Sequence, residues 1–152
     1  MSLTDQLQAD MKSAMRSGDV LRRDTLRMAI AAAQNAAKDK RAPLTDEEAT
    51  EVLGREVKKR RESVAAYGAA GRDDLVAREQ AEIDVLTPYL PEQLEEAEVR
   101  RLAVEAIAVS GATSARDMGR VMSVLMPQVR GRADGKVVSA IVNEELARAA
   151  TA

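Results

Sequence analysis

Residues 87–94 of the chain, T-P-Y-L-P-E-Q-L, decide how the sequence around them is organised. Pro88 and Pro91 each fix their own backbone torsion and disfavour helical geometry in the residue before them, so no helix is expected to run through this stretch. On both sides, apolar residues recur every three or four positions, the spacing of amphipathic helices. We therefore predict a domain boundary here, with an N-terminal domain over residues 1–90 and a C-terminal domain over residues 91–152.

The N-terminal domain is predicted to contain four helices. The second helix carries apolar residues on two faces, with Leu26 and Ile30 on one face and Leu21 and Met28 on the other. This pattern predicts that neighbouring helices cover both faces. A capping box, T-D-E-E at residues 45–48, is expected to begin the third helix. The four expected helices cover about residues 3–17, 19–41, 45–67 and 73–86.

The C-terminal domain is predicted to contain three shorter helices. S-A-R-D at residues 114–117 is expected to cap the middle one, which should end before Pro127. The composition agrees with helices, because Ala, Leu, Glu, Arg and Met favour helix formation. Aromatic residues, which are enriched in β-strands, make up only 1% of the chain, so a β-sandwich is not expected. The predicted fold class is all-α, and the expected C-terminal helices cover about residues 95–109, 114–126 and 134 onward.

The absence of Cys and His from all 152 residues excludes several classes of protein. No disulfide framework, thiolate nucleophile, histidine general base or Ser-His-Asp triad can be assembled. We predict no catalytic residue, no metal ligand and no cofactor. The N-terminal residues mix charged and apolar side chains, so neither a signal peptide nor a membrane span is expected. A cytoplasmic location without a membrane partner follows as the expectation.

The first candidate binding surface is the basic run K-K-R-R at residues 58–61. Lys58 and Lys59 could anchor phosphates. They could equally belong to a solvated helix face whose charge is offset by Glu51 and Glu56. The sequence leaves both interpretations open.

The second candidate surface is R-G-R-A-D-G-K at residues 130–136, between the last two predicted helices. Residues 112–143 contain five cations and two anions, a local excess of +3 in a chain whose net charge is -2. The glycines and the N–H groups of the following helix suit a phosphate, although a tight turn with left-handed glycines and Asp134 as N-cap explains the same pattern. The candidate residues for binding a nucleic-acid phosphate in this region are Arg120, Arg130, Arg132 and Lys136.

Several motifs resemble one known family from end to end. They include R-E-S-V-A-A-Y at 61–67, Y-L-P-E-Q-L at 89–94, D-M-G-R-V-M at 117–122 and G-R-A-D-G at 131–135. The chain is similar to a stand-alone member of the GatB/YqeY family. The resemblance implies a helical N-terminal domain joined to a three-helix module like the tail of GatB, a subunit of tRNA-dependent amidotransferase, in which the tail helps to hold tRNA.

The expected function follows from that resemblance: a non-catalytic, tRNA-binding accessory module. The family's label, carbon–nitrogen ligase activity with glutamine as amido donor, would come from the larger enzyme, because this chain has no recognisable glutaminase nucleophile or nucleotide-binding motif. The alternative is an adaptor that docks an amidotransferase or an aminoacyl-tRNA synthetase through its helical faces. An isoelectric point of about 5.4 means that any RNA contact would have to use a local basic patch.

Overall fold

A computed structural model describes residues 1–151, and within them the chain forms seven α-helices and no β-strand. The predicted all-α class is therefore confirmed. Short 3-10 turns precede the fifth and sixth helices, at Thr87–Tyr89 and Ala115–Asp117. The α-helices are α1 Leu3–Ser17, α2 Val20–Lys40, α3 Asp46–Ala69, α4 Asp73–Leu86, α5 Glu96–Ser110, α6 Met118–Val129 and α7 Gly135–Thr151.

The chain divides into two compact units, Met1–Leu90 and Pro91–Ala152. Helices α1 to α4 form the first unit and α5 to α7 the second, and each unit has its own apolar core. That the two units are independently folding domains stays a prediction. Among the described residues, no helix combines the length and the hydrophobicity needed to cross a membrane.

In the first unit, α2 packs against α1, α3 and α4. One predicted face of α2 is confirmed, since Leu26 is fully buried and Ile30 nearly so. The prediction for the other face is wrong: Leu21 and Met28 are 37% and 44% exposed. All three neighbouring helices are accommodated on the face that contains Thr25, Leu26, Ala29, Ile30 and Ala33, so the opposite side of α2 remains on the surface.

Hydrogen bonds at the helix ends explain where the elements begin. The predicted capping box of α3 is confirmed: the Glu48 carboxylate accepts the Thr45 N–H at 2.9 Å, and the Thr45 hydroxyl accepts the Glu48 N–H at 3.2 Å. An equivalent box of Ser2 and Asp5 begins α1. Gly18, with a φ of 75°, takes the left-handed conformation that ends the helix without strain.

The second unit is a three-helix bundle around Val121, Leu125, Val138 and Val142, all fully buried. The prediction that α6 ends before Pro127 is wrong, because the helix continues to Val129. A proline in the last turn removes only one backbone hydrogen bond. Continuing the helix also buries the Val129 side chain completely, a gain on the order of 1.5–3 kcal/mol.

Candidate nucleic-acid interface

The candidate surface of the second unit is the loop that joins α6 to α7. Its turn is built on Val129, whose backbone oxygen accepts the N–H groups of Arg132 at 2.9 Å and Ala133 at 3.1 Å. Gly131 has a φ of 75°, a left-handed conformation in which a residue with a β-carbon is strained. The glycine is therefore required by the turn itself.

The same loop is held against the segment that leads into α5. The Leu94 N–H donates to the backbone oxygen of Arg132 at 2.8 Å, and the Gln93 side-chain amide donates to that of Gly131 at 3.0 Å. The Arg132 guanidinium donates to the backbone oxygens of Glu92 at 3.1 Å and Gln128 at 3.4 Å. Arg132 therefore braces the loop from within, a role that no local sequence pattern indicates.

The start of α7 is occupied by a carboxylate. Asp134 accepts the Lys136 N–H on its side chain at 2.9 Å and the Val138 N–H on its backbone oxygen at 3.0 Å, which confirms it as N-cap. Gly135 is the first residue of the helix and, unlike Gly131, is not left-handed, so the prediction of two left-handed glycines is half wrong. A phosphate at this helix end would have to compete with Asp134 for the Lys136 N–H.

The structure separates the four candidate cations of this unit. Arg130, Arg132 and Lys136 gather at the C-terminal end of α6, whereas Arg120 lies near its N-terminal end. A helix of 12 residues is about 18 Å long, so one phosphate group cannot contact both ends. Arg120 is also held locally, donating to the Asp117 carboxylate at 3.0 Å and to the backbone oxygen of Ser110 at 3.2 Å.

Asp117 has a lowered pKa. The main cause is the hydrogen bond from the Thr113 N–H at 2.9 Å, and the charge of Arg120 adds to it. Arg120 therefore faces an ionised carboxylate at neutral pH, which reduces its value as a phosphate contact.

The basic run of α3 is not one surface. Lys59 points outward with a side chain 73% exposed and lies 3.5 Å from Glu56, and Lys58 is half-buried. Arg60 is buried: its guanidinium donates to Glu82 at 3.1 Å and to the Glu56 carboxylate at 3.0 Å. The offset of Lys59 by Glu56 agrees with the solvated-face interpretation, and Arg60 serves the packing of α3 on α4.

A second polar cluster, which the sequence analysis missed, fixes the boundary segment in the first unit. The Tyr89 hydroxyl donates to Asp10 on α1 and accepts from Arg22 on α2 at 3.0 Å. Burial, reinforced by the Asp10 carboxylate, raises the pKa of Tyr89 to about 12. The contributing residues are separated by 67 and 79 positions, so no local pattern could have joined them.

Within residues 1–151, no group of three or more His, Cys, Asp or Glu side chains is placed to hold a metal ion. The candidate surface carries two exposed cations, Arg130 in the loop and Lys136 in the first turn of α7. Residues 4–146 match the family described as Yqey-like protein. The chain belongs to the YqeY-like family.

This membership confirms the resemblance seen in the motifs. The YqeY-like chain is 34% identical over 145 residues to altered inheritance of mitochondria protein 41, mitochondrial, of Pyrenophora tritici-repentis, covering 91% of this chain and 78% of that protein. It is 34% identical over 85 residues to the protein of the same name from Eremothecium gossypii, and 29% to that of Saccharomyces cerevisiae. In both of these the match covers 55% of this chain and 46% of the relative, less than half its length.

Proposed function

We propose that this YqeY-like chain is a non-catalytic, tRNA-binding accessory module that contacts RNA through the α6–α7 loop. The observation that carries the proposal is a pair of exposed cations, Arg130 in the loop and Lys136 in the first turn of α7, on either side of a turn that hydrogen bonds tie to the 92–94 segment. A preorganised pair of cations binds phosphates at a lower entropic cost than a mobile one. The proposed location is the cytoplasm.

The rest of the second unit supports this choice of surface. Residues 91–111 contain two arginines and five glutamates, and both arginines are occupied by carboxylates. Arg100 pairs with Glu144 at 2.8 Å and Glu145 at 2.7 Å, and Arg101 pairs with Glu105 at 2.7 Å. RNA would therefore be repelled by the α5 side of the unit and directed to the loop.

The absence of His and Cys supports the non-catalytic part of the proposal. Hydrolysis of glutamine normally requires an activated nucleophile with a general base, and neither residue type that most often supplies them exists in this chain. We expect the purified protein to release no ammonia from glutamine, with or without ATP and misacylated tRNA.

The test is tRNA binding by fluorescence anisotropy over a series of salt concentrations. The double variant Arg130→Gln/Lys136→Gln should weaken binding and reduce the slope of log K against log salt by about 1.5, since each lost phosphate contact removes about 0.7–0.9. The matched control Arg101→Gln/Arg148→Gln removes the same charge from exposed positions of the same unit. Equal losses of tRNA affinity in both variants would show that the effect comes from net charge alone. If Arg130→Gln/Lys136→Gln loses no affinity, the α6–α7 loop is not the RNA-binding surface.

A second candidate function, protein docking, is favoured by one observation. Val20, Leu21 and Met28 of α2 are 54%, 37% and 44% exposed, and a contiguous group of exposed apolar side chains is typical of an interaction site. An adaptor of this kind would dock an amidotransferase or an aminoacyl-tRNA synthetase, the partners that the family resemblance suggests.

A further inference from the structure

The exposed large apolar side chains of the first unit are concentrated in one place. Apart from Met1, those of the described residues up to Leu90 all lie within residues 15–28: Met15, Val20, Leu21 and Met28. Single exposed apolar residues need no explanation, but exposed apolar residues that form a contiguous patch mark an interaction surface.

Three of these residues surround one carboxylate on α2. Val20 and Leu21 lie four and three residues before Asp24, and Met28 lies four residues after it. Positions three and four apart are neighbours on a helix surface, so these side chains and Asp24 form one continuous patch. Along the helix axis the patch extends about 12 Å from Val20 to Met28.

Arginines also gather around Asp24. Arg23 donates to its carboxylate at 2.9 Å, and Arg27 on the next turn and Arg78 on α4 are close enough to interact with it electrostatically. The pKa of Asp24 is lowered, first by the hydrogen bond from Arg23 and then by the charges of all three arginines. With Glu82 counted beside Arg78, three cations and two anions leave this surface with a local charge of +1.

The base beneath Met28 is rigid. The buried Arg60 places a guanidinium nitrogen 3.9 Å from the Met28 sulfur, and its other nitrogens are held by Glu56 and Glu82. Glu82 in turn lies 3.9 Å from the exposed Arg78. Helices α2 and α4 therefore present the apolar and cationic groups together on an ordered support.

We propose that this surface, the Asp24 patch (Val20, Leu21, Arg23, Asp24, Arg27, Met28 and Arg78), docks an acidic amphipathic helix of a partner protein. Carboxylates of that helix would meet Arg27 and Arg78, and its aliphatic side chains would cover Val20, Leu21 and Met28. The inference rests on the protein-docking function and is independent of RNA binding by the second unit.

Both the charge and the apolar area favour a protein over the other anionic partners. A phosphate backbone would satisfy the arginines but would leave the three apolar side chains uncovered. Arginine and methionine are enriched at the centres of protein interfaces, and methionine adapts its shape to the surface that it meets. A helix laid along the patch through residues one turn apart is an established mode of recognition.

The test uses the full-length chain in its native cells, with a photoreactive benzophenone side chain at position 21. A control chain carries the same group at position 109, where Val109 is 76% exposed in the second unit. We expect one dominant protein cross-link from position 21, mapping to a segment in which Asp or Glu alternates with aliphatic residues at helical spacing. A synthetic peptide of that segment should bind the purified chain, and Arg27→Gln/Arg78→Gln should weaken it at least tenfold.

A matched variant, Arg55→Gln/Arg61→Gln, removes the same charge from exposed positions of α3 and should leave peptide affinity unchanged. Circular dichroism melts of both variants separate lost binding from lost folding, and tRNA affinity should not change in either. A cross-link to RNA or lipid, to a segment without acidic residues, or to no dominant target would overturn the proposal. If position 109 but not position 21 cross-links to a protein, the docking function stands and this surface is wrong.

Discussion

Replacing Arg60 by methionine tests the inference that this arginine belongs to the packing of the first unit and not to a basic surface. Arg60→Met keeps the apolar stem of the side chain and removes only the charged group. Its two partners, Glu82 and Glu56, have side chains that are 9% and 14% exposed, so both carboxylates would lose their buried counter-ion in a poorly hydrated place. Only the exposed cations Arg78, at 3.9 Å from Glu82, and Lys59, at 3.5 Å from Glu56, would remain near them. Removing one partner of a buried pair costs about 3–5 kcal/mol.

Lys59 provides the control from the adjacent position of the same helix. Its ammonium lies 3.5 Å from Glu56, but its side chain is 73% exposed, and such a pair contributes about 0–1 kcal/mol. Urea unfolding followed by circular dichroism should therefore show a large loss of stability for Arg60→Met and little for Lys59→Met. Similar losses for the two variants would refute the distinction between a buried and a surface cation.

A third variant separates the charge from the volume of the side chain. Arg60→Met/Glu56→Gln/Glu82→Met removes the carboxylates together with their counter-ion, and replacement of a whole buried charge group by apolar residues is often neutral or stabilising. We expect it to recover at least half of the stability lost in Arg60→Met. Recovery of nothing would indicate that the shape of Arg60, not its charge, is what the core requires.

Three further predictions concern the loop, the boundary tyrosine and the two units. Arg132→Ala should destabilise the chain by about 1–3 kcal/mol in urea unfolding, because it removes charged hydrogen bonds to the backbone oxygens of Glu92 and Gln128. The exposed Lys136 provides the control, and Lys136→Ala should stay within about 0.5 kcal/mol of the parent. Equal effects of the two variants would contradict the bracing role of Arg132. The pKa of Tyr89 is raised to about 12, above its ordinary value of 10.0, so the protonated hydroxyl contributes its full stabilisation below pH 10. This contribution should be lost as the pH rises towards 12. Thermal melts at a series of alkaline pH values should show a weaker pH dependence for Tyr89→Phe than for the parent. Residues 1–90 produced alone should retain a helical circular dichroism spectrum and a cooperative thermal melt, because their core of Leu7, Leu26, Leu53 and Leu86 lies within that segment. A non-cooperative melt would show that the first unit needs the second for its stability.

Much of the helical architecture could be predicted because helix limits are set within a few residues of the chain. Thr45 and Glu48 cap each other across three positions, and Gly18 ends α1 through its own backbone conformation. Helix α4 was predicted at 73–86 and lies at Asp73–Leu86. The exceptions at Pro127 and Gly135 show the limit of the rule: burial of Val129 outweighed a proline, and capping by Asp134 made a left-handed glycine unnecessary.

Candidate binding residues were harder to predict because a charged side chain takes its role from what faces it. The sequence grouped Arg120 with Arg130, Arg132 and Lys136, but Arg120 lies near the N-terminal end of α6 and the other three lie beyond its C-terminal end. It also placed Lys59 and Arg60 in one basic run, although one is solvated and the other is buried against Glu82, 22 positions away. Neither separation is visible in a count of local charge.

The sequence by itself determined that this protein is all-α, where most of its helices begin, and which family it resembles. Those properties depend on periodicity, caps and motifs, which act between residues at most a few positions apart. Only the tertiary structure decided that Arg132 braces a loop, that Tyr89 joins Asp10 and Arg22, and that Leu21 and Met28 stay exposed. Burial and hydrogen-bond partners are set by helices that meet across long stretches of chain, so the same side chain serves either as a support or as a surface according to what packs against it.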